Sequence, residues 1–141
     1  MRTIALAALL SLLPLTAFAA DTCSLTVKVE NVSAKGGNLR IGVYDQATFV
    51  VRGSKPVEGK TIPAKPGEMI VTFDGLKPGE YGVKAFQDEN ANGKMDMVMG
   101  MMPSEPYGMS NDAAPSMSGP PWDEAKFTLK SGANATTIHL H

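Results

Sequence analysis

The run CSLTVKVENV, from Cys23 to Val32, alternates apolar Leu25, Val27 and Val29 with polar Thr26, Lys28 and Glu30. Successive side chains leave a β-strand on opposite sides, so this period of two describes a strand with one buried and one solvated face. The pattern recurs in NLRIGVYD, where Leu39, Ile41 and Val43 share a face, and in EMIVTFDGL, where Ile70 stands opposite Met69, Val71 and Phe73. GEYGVKAFQD aligns Tyr81, Val83 and Ala85, with Phe86 breaking step, and AKFTLKSG and NATTIHLH add two short runs. Turn formers separate them: Lys35-Gly36-Gly37-Asn38, Lys77-Pro78-Gly79 and Ser131-Gly132. FVVRG offers a further short strand, KPVEGKTIPAKPG reads as an exposed connection, and no segment reads as a helix. About seven short strands with one polar face each predict an all-β, antiparallel, Ig-like sandwich of two sheets. Parallel strands, buried on both sides, would be continuously apolar.

The first residues do not fit this pattern. MRTIALAALLSLLPLTAFAA carries one charge, Arg2, then an apolar run and the small-residue pattern Ala17-Phe18-Ala19. This is the pattern of a secretory signal peptide over residues 1–19, with one domain over 20–141 and no transmembrane segment in the mature chain. Export to the periplasm or the extracellular space follows. Loss of Arg2 leaves 12 basic against 14 acidic residues, a formal charge of −2. That balance offers no basic stripe for nucleic acid and no polybasic membrane patch. The one cysteine, Cys23, can form no internal disulfide and is expected to be buried and inert.

The long interruption is Asp88 to Asp123, rich in Gly, Pro, Asn, Ser and Met. A loop of that length inside a compact domain is functional, or else disordered. It begins Asp88-x-Asn90-x-Asn92-Gly93-Lys94-x-Asp96, the register of a calcium loop. Side-chain oxygens of Asp88, Asn90, Asn92 and Asp96, with the carbonyl of Lys94, can converge on one cation, and Gly93 permits the sharp turn. The position where a complete helix-flanked site carries a bidentate glutamate is Met99. A further ligand would be water, Glu89, Glu105 or Asp112. The alternative is an ion-free network of Asx turns, because Asn and Asp also bond their own backbone.

Methionine then recurs at 95, 97, 99, 101 and 102, with Met109 and Met117 beyond. Thioethers suit copper(I), and His139 and His141 form a His-x-His pair suited to copper(II). The competing reading, preferred here, is packing: methionine fills irregular gaps beneath a loop.

Three stretches in order, LKPGEYGVKAFQDENANGKMD, GMMPSEPYGMSNDA and GPPWDEAKFTL, span most of the mature chain. Together they resemble a bacterial family described as domain of unknown function 2141. The resemblance implies a secreted β-sandwich of the prealbumin-like or carboxypeptidase-regulatory-like kind and implies no activity. It suggests that Glu105, Tyr107, Ser110 and Asn111 fold back on the oxygen ladder while Trp122 anchors the return to the sheet.

No Gly-x-Ser-x-Gly elbow or His-Glu-x-x-His pattern occurs, and a carboxylate pair from Asp88 and Asp96 would need a cleft. The sequence therefore predicts a monomeric, non-catalytic module. Calcium is its favoured cofactor and copper the lesser one, and an envelope protein, a glycan or a small ligand is its partner. A metal-free envelope protein is the remaining alternative.

Overall fold

The computed structural model describes residues 21–115 and 119–141, so the proposed signal peptide and Met117 lie outside it. Strands form where the alternation predicts them: β1 Cys23–Val32, β2 Asn38–Tyr44, β4 Gly67–Leu76, β5 Gly79–Asp88, β9 Phe127–Leu129 and β10 Gly132–His139. One sheet orders its strands β10-β1-β4, and the other runs β3-β2-β5-β8, where β3 is Glu58–Pro63 and β8 is Tyr107–Met109, with β9 also pairing β5. The inner faces meet through Leu25, Val27 and Val29 of β1, Leu39, Ile41 and Val43 of β2, Val71 and Phe73 of β4, and Val83 and Ala85 of β5, all buried. Cys23 is buried among them. The outward positions Thr26 and Thr72 pair across β1 and β4, and Ile70 stays exposed on that face.

Three expectations are corrected. First, β10 joins β1 in parallel, with Val27 opposite Thr136 and Val29 opposite Ile138, so the sandwich is mixed rather than purely antiparallel. A parallel neighbour needs a long crossover, and the whole intervening chain supplies it. Only one face of the pair is buried, so the alternation survives. Second, the expected connection contains the edge strand β3, Glu58–Pro63, antiparallel to β2. Its inward positions include Glu58 and Lys60, which hides the apolar signal. Lys60 lays its stem over Phe73, with the ammonium 5.3 Å from the ring centre, and donates to the Thr72 carbonyl. A charged inward residue also blunts a sheet edge against pairing with other chains. Third, FVVRG is not a strand. Asp45 caps a one-turn helix, α1 (Gln46–Phe49), by accepting from the Thr48 amide at 2.9 Å. A second such turn, α2, spans Trp122–Ala125.

The long interruption is ordered by the sheet it interrupts. It forms a small hairpin, β6 Met97–Val98 with β7 Met102–Pro103, then returns as β8 Tyr107–Met109 along β5, and ends in a 3₁₀ turn, Ser110–Asp112. β8 also touches the opposite sheet. Tyr107 and His141 exchange backbone bonds of 2.9 and 3.3 Å. Gly108 permits this approach, because a Cβ there would stand 2.4 Å from the His139 carbonyl oxygen. Phe49, Met109, Ala113, Trp122 and Ala125 make a second, smaller core on the outer face of β5, with Tyr44 against it. Trp122 thus anchors the returning segment as expected, but on this satellite cluster. The Phe49 ring meets Trp122 edge-on at 5.5 Å.

Candidate functional site

Asp88 ends β5 opposite Asn38 of β2, and its side chain is fully buried. Its carboxylate is the hub of the loop. Oδ1 accepts from the Asn92 amide at 3.1 Å, and Oδ2 accepts from the Gly93 amide at 2.8 Å and from Arg40 Nε at 3.1 Å. Asn90 Oδ1 accepts from the Asn92 amide at 3.2 Å, and Asn92 Oδ1 accepts from the Lys94 amide at 2.9 Å. Both carboxamides then donate to Asp96, Asn92 at 2.7 Å and Asn90 more closely still. These donations hold the Asp96 carboxyl below the usual carboxylate range, the bond from Asn92 first. Asp88, Asn90, Asn92 and Asp96 therefore share one network, in which the Asn90 and Asn92 oxygens accept backbone amides as in the ion-free Asx-turn alternative. Lys94 follows the turn with an exposed side chain. Gly93 has φ +81°, and a Cβ there would come within 3.3 Å of Arg40 Nη2, so glycine both makes the turn and admits the guanidinium.

Of the carboxylates that might complete a shell, one arrives. Glu89 is drawn off by Ser33 Oγ at 3.0 Å and by Lys35. Asp112 is held by His139 Nδ1 at 2.9 Å. Glu105 enters under the ladder, 6% exposed, and its Oε2 accepts from the Asp96 amide at 3.3 Å. Its other oxygen, Oε1, is buried without a hydrogen-bond partner. Burial pushes the Glu105 carboxyl upward, and the nearby Asp96 and Asp88 charges add to the rise. Among the described residues, no three His, Cys, Asp or Glu side chains gather as a metal-holding group. A cation here would lean on carboxamide and carbonyl oxygens.

The other polar residues of the loop do not fold back on the ladder. Ser110 Oγ accepts from the Val83 amide at 2.9 Å and donates to the Ala125 carbonyl at 2.6 Å. Asn111 donates to the Glu124 and Lys126 carbonyls at 3.1 and 3.0 Å. They tie α2 to β5 instead. Gln87 was not singled out by its sequence, yet it clamps the β1–β2 turn. It accepts from the Ser33 amide and donates to the Ser33 and Gly36 carbonyls. Arg40 was likewise missed, since only the register of β2 on β5 brings it to Asp88.

The methionines divide. Met109 packs in the satellite core, but Met99, Met101 and Met102 are 91%, 74% and 68% exposed. Packing therefore fails as their explanation. They crown the β6–β7 turn, closed by Met101 donating to the Val98 carbonyl at 3.2 Å. Positive φ at Met99 and Gly100 matches the primed hairpin turns.

His139 is not free for copper(II). Nδ1 meets Asp112 and Nε2 meets Glu30 at 2.8 Å, so the ring links β1, β10 and the 3₁₀ turn. The Asp112 hydrogen bond, followed by the Asp112 and Glu30 charges, raises the His139 pKa. Lys28 lowers the Glu30 pKa and His139 lowers that of Asp112. His139 contributes its full stability below the unfolded value of about 6.5, and the contribution fades as pH rises through the higher folded value. The two carboxylates lose theirs as pH falls through their lowered values. Stability should therefore decline from about pH 6 to pH 8 in the parent and be flatter in His139→Gln. Melting curves of both across that range check this, and parallel profiles would disprove it.

No curated protein and no solved structure matches the chain. A family model does match, over residues 27–138, and its description is an uncharacterised protein conserved in bacteria. The match covers most of the chain and runs from the middle of β1 to the end of β10, so this protein belongs to the DUF2141 family.

Proposed function

We propose that this chain is an exported, non-catalytic β-sandwich module whose Asp88–Asp96 loop is a weak calcium staple, and that it acts in binding or in envelope structure. The observation that carries the reading is the buried, unpartnered Oε1 of Glu105 beneath the ladder. A buried polar atom without a partner costs about 1–3 kcal/mol, and more when charged. A hard cation accepting Oε1, Asp96, the Asn90 and Asn92 carboxamide oxygens and the Lys94 carbonyl would remove that cost. Calcium takes six to eight such oxygens and tolerates irregular shells. Arg40 already shares Asp88, which weakens the attraction for a second cation and supports an affinity in the extracellular range of about 10⁻⁴–10⁻³ M. Without a cation, a proton is the alternative neutraliser of Glu105, in keeping with its raised pKa.

The test is thermal melting of the purified chain in chelator and in about 10 mM calcium. At 10 to 100 times Kd, binding to the folded state alone adds about 1.4–2.7 kcal/mol, a rise of several degrees. Glu105→Gln should lose this rise. In chelator it should melt no lower than the parent, because the carboxamide keeps one acceptor and can donate to Asp96. A parent indifferent to calcium would overturn the staple.

A second reading, copper(I) at the hairpin tip, rests on the exposed thioethers of Met99, Met101 and Met102. A copper(I)-dependent rise abolished by replacing these methionines, with none from calcium, would favour it.

A further inference from the structure

Phe86 points away from the main core, on the outer face of the five-stranded sheet, where packing does not require an aromatic ring. Its cross-strand partners are Arg40 on β2 and Tyr107 on β8. The next rung runs Gly59, Gly42, Lys84, Met109. Pro56 packs onto both glycines, 2.8 and 2.9 Å from where their Cβ atoms would stand, and together these residues line a groove of about 840 Å³. That volume lies in the range of small-ligand sites. Five basic residues line it, Arg40, Lys55, Lys60, Lys84 and Lys94, and no acidic residue does. Lys60 turns its ammonium to the Thr72 carbonyl and Arg40 is paired with Asp88, which leaves Lys55, Lys84 and Lys94 to set the field. A chain with a formal charge of −1 has thus gathered an all-cationic lining in one place.

Lys84 is the most constrained of these three. It is half-buried, with its ammonium 4.4 Å from the Phe49 ring centre and 4.8 Å from that of Tyr44. It donates to the Phe49 carbonyl, and no carboxylate pairs with it among the described residues. Burial lowers its pKa to about 8. A half-buried ammonium without a counter-ion gains from any anion that reaches it, because the low-dielectric wall behind it strengthens the attraction.

We propose that this groove binds a small organic anion, a carboxylate or phosphate carried on a flat apolar body. The anion faces Lys84 and Arg40, and the body lies on Phe86 and Tyr107. The proposal rests on the binding-module reading above but not on calcium. The ladder enters only by fixing Arg40 through Asp88 and by carrying Lys94 to the rim.

The experiment is calorimetric titration of the purified chain, in chelator, with benzoate, phenyl phosphate and uncharged benzamide, at low and moderate salt. Benzoate or phenyl phosphate should bind at least tenfold more tightly than benzamide and weaken as salt rises. The tighter of the two identifies the head group. Lys84→Met keeps the stem over the rings and should weaken the anion tenfold or more. Met99→Ser, at the distant hairpin tip, should change nothing. If Lys84→Met fails to fold, Lys94→Gln on the exposed rim should still cost severalfold. Equal affinity for benzamide, or unchanged affinity in both lysine variants, overturns the proposal. So does tight binding of a poly-glutamate peptide alone, which would make the face a protein-docking surface. The titrations are repeated on Glu105→Gln: anion binding kept there while the calcium response is lost shows that groove and staple stand or fall separately.

Discussion

Asp88→Ala is expected to lower the unfolding free energy by about 3 kcal/mol in chelator, where no cation contributes. The Asp88 carboxylate is fully buried and receives the amides of Asn92 and Gly93 and the Arg40 side chain. Truncation strands three donors at once. Hydrogen bonds to a charged group are worth about 1.5–3 kcal/mol each, but the simple sum overstates the loss. Asn92 and Gly93 lie in an exposed turn, and Arg40 is partly open, so water can recover part of each bond. Asp88→Asn keeps the shape and one acceptor and should cost about half as much. Urea unfolding at neutral pH measures both, with the m-value unchanged. A loss below about 1 kcal/mol for the alanine variant would show that the loop does not depend on its hub. Domains of this size are stable by about 5–15 kcal/mol, so a loss of about 3 kcal/mol is large but leaves a folded protein.

Phe49→Ala should cost about 4 kcal/mol, within the range for removing a fully buried aromatic ring. The ring rests on Gly82, where a Cβ would stand 2.7 Å from Phe49 Cε2, and it meets Tyr44 and Trp122 edge-on. Few other side chains can fill the space, since the satellite core is small. The same change uncovers Lys84, whose ammonium lies over that ring. Its pKa should rise from about 8 toward the ordinary lysine value of about 10.4. Chemical unfolding measures the first effect and NMR titration of the Lys84 side chain the second. An unmoved lysine with a large stability loss would mean that the ring packs the satellite core without shielding the Lys84 ammonium.

The strands were legible wherever one face is buried and the other wet. Leu25, Val27 and Val29 alternate because they line the main core, and the same logic found β2, β4, β5, β9 and β10. β3 escaped because an edge strand has little to bury, and its inward positions hold Glu58 and Lys60. α1 escaped because one capped turn is too short to show a period, and Val50 and Val51 after it imitate a strand. The ladder was legible because Asp88 to Asp96 is local: each bond from Asp88 to Asn92 and Gly93 spans only a few residues. The choice of Glu105 over Glu89 and Asp112 was not legible. It turns on Ser33 and Lys35 claiming the one and His139 claiming the other, from distant parts of the chain.

By itself the chain's order of residues determined the all-β class, the turns, the buried face of each long strand and the oxygen ladder, because each of these is decided within about ten consecutive residues. Tertiary structure alone decided the parallel seat of β10 beside β1, the Arg40–Asp88 pair, the Glu105 oxygen under the ladder and the cationic groove around Lys84. Those depend on which strand lies next to which and in what register. Such pairings gain their free energy only when residues far apart in the chain are brought together, and no local period records them.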